Sequence, residues 1–322
     1  MEELIARLEP RMRARFREVM RTVRRRRTVA ELEAALEDGS IGTVLDDVEA
    51  AAGKVAAESA AAHATVAAEV LTHVQGKVEQ LLSYDGTNPR VVAALQRSRY
   101  DMIQGLREDQ RQAIGEALRL GAAEGWNPRQ TAIAIRDSIG LTADQTRWVA
   151  NYRRALETAD RRALAYKLRD ARSDSAVRAA VESGKPLAQD RIDRLVARYS
   201  ERQLKLRAET IARTETIRAA HEAQDEAYEQ VIESGLDVDR LQAQWHAGAK
   251  PRTRDSHVTM NGQLRRHGVP FRSGAGFELR CPCDASAPAS EVVNCRCGKS
   301  VRILPVGQVA VNRDRADAAA AA

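Results

Sequence analysis

From Leu4 to Val23 the apolar residues fall at intervals of three and four: Leu4, Ile5, Leu8, Met12, Phe16, Val19, Met20 and Val23. That spacing closes into one stripe on an α-helix, whereas the faces of a strand alternate every second residue. A similar seam runs along Val44, Val48, Val55, Val66, Val70, Val74, Val78 and Leu81, with alanine filling many of the positions between. Sequence of this kind is committed to long helices. Aromatic residues make up only 4% of the chain and charged residues 30%, so the seams between helices are thin and built of Ala, Val and Leu. The fold class that follows is mostly α, with long-helix N-terminal and middle regions. The 322 residues allow two or three domains and a sizeable core.

The punctuation between helices is legible. Thr28 with Glu31 has capping-box spacing and opens a short helix ending near Gly39. A long helix is expected from about Gly42 to Leu82. Asn88-Pro89 and Asn127-Pro128 each place a cap before a proline at the first helical position, opening helices that end near Gly125 and Gly140. Thr142 with Gln145 starts another, expected to run through RWVANYRRALETADRRALAY. Gly184 and Pro186 mark a boundary, and a last long helix covers about Asp190 to Glu233. After Gly235 the character changes to a small α+β domain. Asn261-Gly262 is a hairpin signal, GVPFRSGAGFELRCP reads as two short strands round a Gly-rich turn, and GKSVRILPV as a final strand. The division expected is an N-terminal helical arm and long helix (1–84), a helical middle domain (85–187), a C-terminal domain (188–305) and a flexible tail (306–322).

The formal net charge of +6 and a sequence pI near 9.3 suit an anionic partner. Arg11, Arg13, Arg15, Arg17, Arg21, Arg24, Arg25, Arg26 and Arg27 point nearly all round the first helix, with Glu18 the only acid among them. One reading is a solvated surface. The other is a basic arm that contacts DNA without sequence preference, or an acidic protein surface. The segment after Met1 lacks the apolar core of a secretory signal, and no run has the length of a membrane span. The chain reads as soluble and made in a cytoplasm, where thiols stay reduced.

All four cysteines lie in CPCDASAPASEVVNCRC: Cys281 and Cys283, then Cys295 and Cys297, two C-x-C pairs with eleven residues between them. Three readings stand side by side. Thiolates bind Zn²⁺ tetrahedrally, and a small Gly-rich domain gains from a metal staple. In this reading Cys281, Cys283, Cys295, Cys297 and His257 are the ligands of a structural zinc, and Asp255 orients His257 or binds directly. Alternatively the cysteines are small buried hydrophobes. In the last reading Cys295, with His257 and Asn294, is a thiol nucleophile. Of the other histidines, His63 and His73 on the long N-terminal helix read as surface or seam residues, His221 on the last long helix as a helix-surface residue, and His246, beside Trp245, as a weak ligand candidate facing the cysteine domain. RTR at 252–254 reads as a phosphate contact or, better, a clamp on Glu215 or Glu291.

Several motifs together resemble phage minor head (head morphogenesis) proteins of the Mu F-like type. They are the helical stretch TNPRVVAALQ to DQTRWVANYRRAL, ARTET at 212–216, Trp245, RTRDSH at 252–257, NG at 261–262 and EVVNCRC at 291–297, covering roughly residues 85 to 305. Cys281 and Cys283 stand where the family has a bulky residue and a glycine. The resemblance implies a virion component at the capsid interior or portal vertex, made in the host cytoplasm during assembly. It implies binding to portal protein, to capsid or scaffold proteins and, non-specifically, to packaged DNA, with a role in head assembly, DNA packaging or DNA ejection. It implies no membrane partner, no catalytic residue and no enzyme. The alternative is a metal-dependent or thiol hydrolase carried by the C-terminal domain.

Overall fold

The computed structural model describes residues 1–75, 84–249 and 253–314. Val78, Leu81, Arg252 and the Ala-rich end of the chain lie outside the described residues. The fold is mostly α-helical, with a small strand-bearing C-terminal region. The helices are α1 (Glu2–Arg26), α2 (Val29–Glu37), α3 (Thr43–Gln75), α4 (Pro89–Glu124), α5 (Pro128–Ser138), α6 (Ala143–Glu157), α7 (Asp174–Ser183) and α8 (Gln189–Glu233). After them come β1 (Leu241–His246), the short α9 (Asp255–Val258), β2 (Leu264–Arg266), β3 (Phe271–Arg272), β4 (Glu278–Leu279), α10 (Ala289–Val292) and β5 (Gly298–Ile303). Among the described residues no helix is long and apolar enough to cross a membrane.

The chain forms two compact units. One comprises Met1–Arg13, Ala57–Arg97 and Thr210–Ala322, the other Ala14–Ala56 and Ser98–Glu209. In the first, Leu4 and Leu8 of α1 pack with Ala62, Val66 and Ala67 of α3 and with Ala220 and Ala223 of α8. The alanines remove side-chain thickness where the helices meet. Further along, Leu71 and Val74 meet Ala227, Tyr228 and Val231 of α8 and Leu241 of β1. The sheet has the order β2-β1-β5, antiparallel throughout, with Gln244 opposite Leu264 and Trp245 opposite Lys299. β3 and β4 pair separately, Phe271 opposite Leu279. Gln242 is buried in the central strand because its amide is satisfied. It donates to the carbonyls of Arg265 at 2.7 Å and Val311 at 3.0 Å, and accepts from the Val311 N–H at 2.8 Å.

In the second unit the two capping boxes expected from the sequence, at Thr28 and Thr142, are formed, and the expected cap Asn127 forms a third with Gln130. Phe16, Leu32, Ile135, Ile139, Leu141 and Leu204 are fully buried. Gly140 (φ 78) turns α5 into α6. A Cβ there would lie 2.9 Å from Leu204 Cδ1 and 3.0 Å from Met20 Cβ, so the turn needs both the left-handed conformation and the missing side chain.

Two expected elements differ. The helix opened by Thr142 stops at Glu157. Ala159 is left-handed (φ 50), Asp160 caps a 3₁₀ turn over Arg161–Ala165, and the chain folds back. The reversal brings Tyr166 against Tyr152 and Tyr199, with ring centroids 5.2 and 5.7 Å away; packing overrides the helical propensity of RRALAY. Asn261-Gly262 makes no tight hairpin. β1 and β2 do pair, but α9 lies in their connection. The Gly262 N–H donates to the Trp245 carbonyl at 2.9 Å, and Asn261 Oδ1 accepts from Ala247 at 2.9 Å.

Candidate metal or thiol centre

The module after β1 is built round Trp245, which is fully buried against Phe271 at 5.3 Å and edge-on to His257 at 5.7 Å between ring centroids. Cys283, Cys295 and Cys297 belong to the same core, with Met260, Leu279 and Val292. His257 Nδ1 lies 3.5 Å from Cys295 Sγ and 3.4 Å from Cys297 Sγ. The candidate ligand atoms of these three residues all fall within 4.8 Å of one another. On a tetrahedral zinc with bonds of about 2.1 and 2.3 Å, a nitrogen and a sulfur lie about 3.6 Å apart. The three groups therefore stand at the spacing that one such ion requires, and they support a structural zinc site.

Each group is positioned by the backbone and by its neighbours. α9 carries His257, and its Nε2 lies 3.0 Å from Glu291 Oε2 on α10. Ser256 Oγ donates to the same carboxylate at 3.1–3.2 Å. Glu291, itself buried, thus fixes the ring with Nδ1 toward the thiols, the usual arrangement behind a metal-bound imidazole. The orienting carboxylate is Glu291 and not Asp255, which begins α9 at the surface. The Cys297 N–H points at Cys295 Sγ at 3.5 Å, and the Trp245 indole N–H is buried without a hydrogen-bond partner among the described residues. A Cβ on Gly248 would press on the Arg296 carbonyl at 2.8 Å.

Cys283 adjoins this trio. It is fully buried, its Sγ lies 3.5 Å from the Val292 carbonyl oxygen, and it hydrogen-bonds Cys295. Its backbone is left-handed (φ 61), as is that of Asn294 (φ 62). Each conformation costs a non-glycine residue about 1–2 kcal/mol. The hydrogen bond from Cys283, then that from Cys297, pushes the Cys295 thiol far below the usual range. The same bonds, followed by burial, push the other two thiols up. Cys281 is buried outside this group, beside Lys299, Asp225 and Asp284, and burial pushes its thiol up as well. All four cysteines are free.

The ARTET segment of α8 holds the loops that carry the cysteines. Thr214 Oγ1 accepts the Asn294 N–H at 2.9 Å, and Arg213 donates to Asn294 Oδ1. Arg218 donates to the Cys283 carbonyl at 3.1 Å and pairs with Glu215 at 3.0 Å. These supporting residues were hidden in sequence because ARTET reads as ordinary helix surface. The clamp expected of RTR takes another form: Arg254 donates to the Val293 carbonyl, Glu215 is held by Arg218, and Glu291 serves His257. His221 is fully buried, not at the helix surface, with Nε2 unpartnered among the described residues. His246 lies outside the cluster and meets Ser300 Oγ at 2.7 Å.

Tertiary contacts neutralise much of the arginine-rich stretch. Arg11 reaches Glu58 at 3.2 Å, and Arg17 and Arg21 share Glu201. Arg15 pairs with Glu18 at 3.1 Å and Arg27 with Asp47. Arg24 donates to the carbonyls of Ile139 and Asp137. Arg25 and Arg26 are exposed, and Arg25 meets the Thr22 hydroxyl at 3.4 Å.

The expectation of a chain without enzymatic potential is overturned by the His257, Cys295 and Cys297 cluster. A buried imidazole beside two cysteine sulfurs is a potential catalytic or metal-binding site. Residues 171–300, which contain the whole cluster, match the family model described as Phage Mu protein F like protein. No curated protein and no solved structure matches the chain.

Proposed function

We propose that this is a head-morphogenesis protein whose C-terminal module is stapled by one zinc ion, held by His257, Cys295 and Cys297 with Cys283 closing the fourth position. The observation that carries the reading is the convergence of one imidazole nitrogen and two sulfurs at metal-ligand spacing inside the segment that matches the family model. Burial of all four groups favours a closed, structural site over one with an open position. In this reading the module docks on portal, capsid or scaffold protein within the virion, and the protein acts in head assembly, DNA packaging or DNA ejection. Arg25 and Arg26, with the less neutralised arginines of α1, supply non-specific contact to packaged DNA. The test is elemental analysis of the purified chain, followed by chelation and limited proteolysis. One zinc per chain is expected, with cleavage beginning after residue 240 once it is removed. Metal-free protein with an equally resistant module would reject the staple.

A second reading is favoured by one specific alignment. Cys295 Sγ meets His257 Nδ1 at 3.5 Å, and Glu291 fixes Nε2 of the same ring, the order of groups in a thiol hydrolase. Cys295 is 1% exposed, so a substrate reaches it only if the 281–297 segment opens. Stoichiometric alkylation of Cys295 by iodoacetamide at neutral pH in metal-free, folded protein would favour this reading over the zinc staple.

A further inference from the structure

A cavity of about 460 Å³ opens in the second unit, among α4, α5, α6 and the start of α8. This is the size range of small-ligand pockets. Ala117, Leu120 and Val149 form an apolar floor and Trp126, Ile133 and Ala134 an apolar wall. One charge inside lacks an answering group. Arg153, on the rim, is already paired with Asp193 at 2.6 Å and Glu157 at 3.6 Å. Asp137 also lines the cavity, and its carboxylate makes no hydrogen bond among the described residues. Arg24 lies close, but it donates to the main-chain carbonyls of Asp137 and Ile139, at 3.0 and 2.7 Å. Ser200 also takes the Asp137 carbonyl, at 2.8 Å. The main chain of Asp137 is thus fully used while its carboxylate faces the cavity. A half-buried carboxylate without a donor is costly: burial pushes its pKa up, and Arg24, Arg153 and Arg136 oppose that only through space.

We propose that this cavity binds an organic cation with an apolar body, the cation on Asp137 and the body between Trp126 and Val149. Two sources share that chemistry: a free alkyl or aryl amine, and an arginine side chain presented by a partner protein. The site is independent of the zinc reading, because its lining residues all belong to the other unit.

The test titrates the full chain with 4-phenylbutylamine, its neutral isostere 4-phenylbutanol and N-butylguanidine, read by calorimetry and by Trp126 fluorescence. A hydrogen bond to a charged group predicts that the amine binds about tenfold more tightly than the alcohol. Asp137→Asn should bring the two together while keeping the apolar contribution. Ala134→Leu leaves the carboxylate in place but fills the cavity, and it should weaken all three probes. Tighter binding of the guanidine than of the amine points to an arginine side chain, and the reverse order to a free amine. Equal binding of amine and alcohol to the wild-type chain overturns the proposal. So does a cation preference that survives Asp137→Asn, or binding unaffected by Ala134→Leu.

Discussion

His257 illustrates how one side chain acquires a role from its two nitrogens. Nδ1 faces Cys295 and Cys297, and Nε2 is held by Glu291. The carboxylate selects the tautomer, and the tautomer leaves a lone pair aimed at the sulfurs. Replacing Glu291 by Gln keeps an acceptor but removes the charge, and replacing it by Ala removes both. Competition titration with a chromophoric chelator should show zinc affinity falling about tenfold for E291Q and about 100-fold for E291A. Unchanged affinity in E291A would separate Glu291 from the metal site. His63 makes a different point. It is buried in α3, and burial holds its pKa near 4, with Glu226 pulling weakly the other way. The unfolded chain takes up a proton near pH 6.5, where the folded chain does not. This contribution to stability is complete above pH 6.5 and declines until about pH 4. Between pH 7.5 and 5 it amounts to about 2 kcal/mol. Urea melts of the wild type and His63→Gln should differ in pH slope by that amount, and parallel slopes would refute it.

At the scale of elements, the joints decide more than the rods. The α5–α6 corner is set by Gly140, whose N–H donates to Gln110 Oε1 at 2.7 Å and whose Cα faces Leu204 and Met20. Gly140→Ala adds an unfavourable left-handed conformation to an overpacked contact, and the expected cost is about 2–4 kcal/mol. The measurement is the midpoint of denaturant unfolding at unchanged slope; a loss under about 0.5 kcal/mol would mean that the corner relaxes freely. The capping boxes at Thr28 and Thr142 and the cap at Asn127 were readable because cap, spacer and partner are local. The break after Glu157 was not, because its cause is the Tyr152, Tyr166 and Tyr199 cluster, assembled from segments distant in sequence.

At the scale of the whole molecule, the basic charge is less available than its arginine count suggests. Acids far along the chain answer the stretch in which Glu18 stood alone: Glu58, Asp47 and Glu201. If the protein binds duplex DNA, Arg25 and Arg26 should carry more of the salt dependence than Arg17 or Arg21. Arg25→Ala with Arg26→Ala should reduce the slope of log affinity against log salt by about 2. The R17A/R21A pair should change it less. A reversed order, measured by fluorescence anisotropy over a salt series, would move the contact to another face.

The sequence by itself determined the helical class, the cap positions, the change of character after Gly235 and the gathering of every cysteine near Cys281–Cys297. These properties depend on period, on local hydrogen bonding and on composition, all of which act over a few residues. It also placed His257 with the cysteines as a set of types. Tertiary structure alone decided that His257, Cys295 and Cys297 converge, that Cys283 adjoins them and Cys281 does not, and that Glu291 orients the imidazole. It also gave ARTET its task of holding the Cys283 and Asn294 loops. Those facts depend on distances between residues tens of positions apart, set by how Trp245, α8 and the sheet exclude water, and a linear pattern holds no record of such distances.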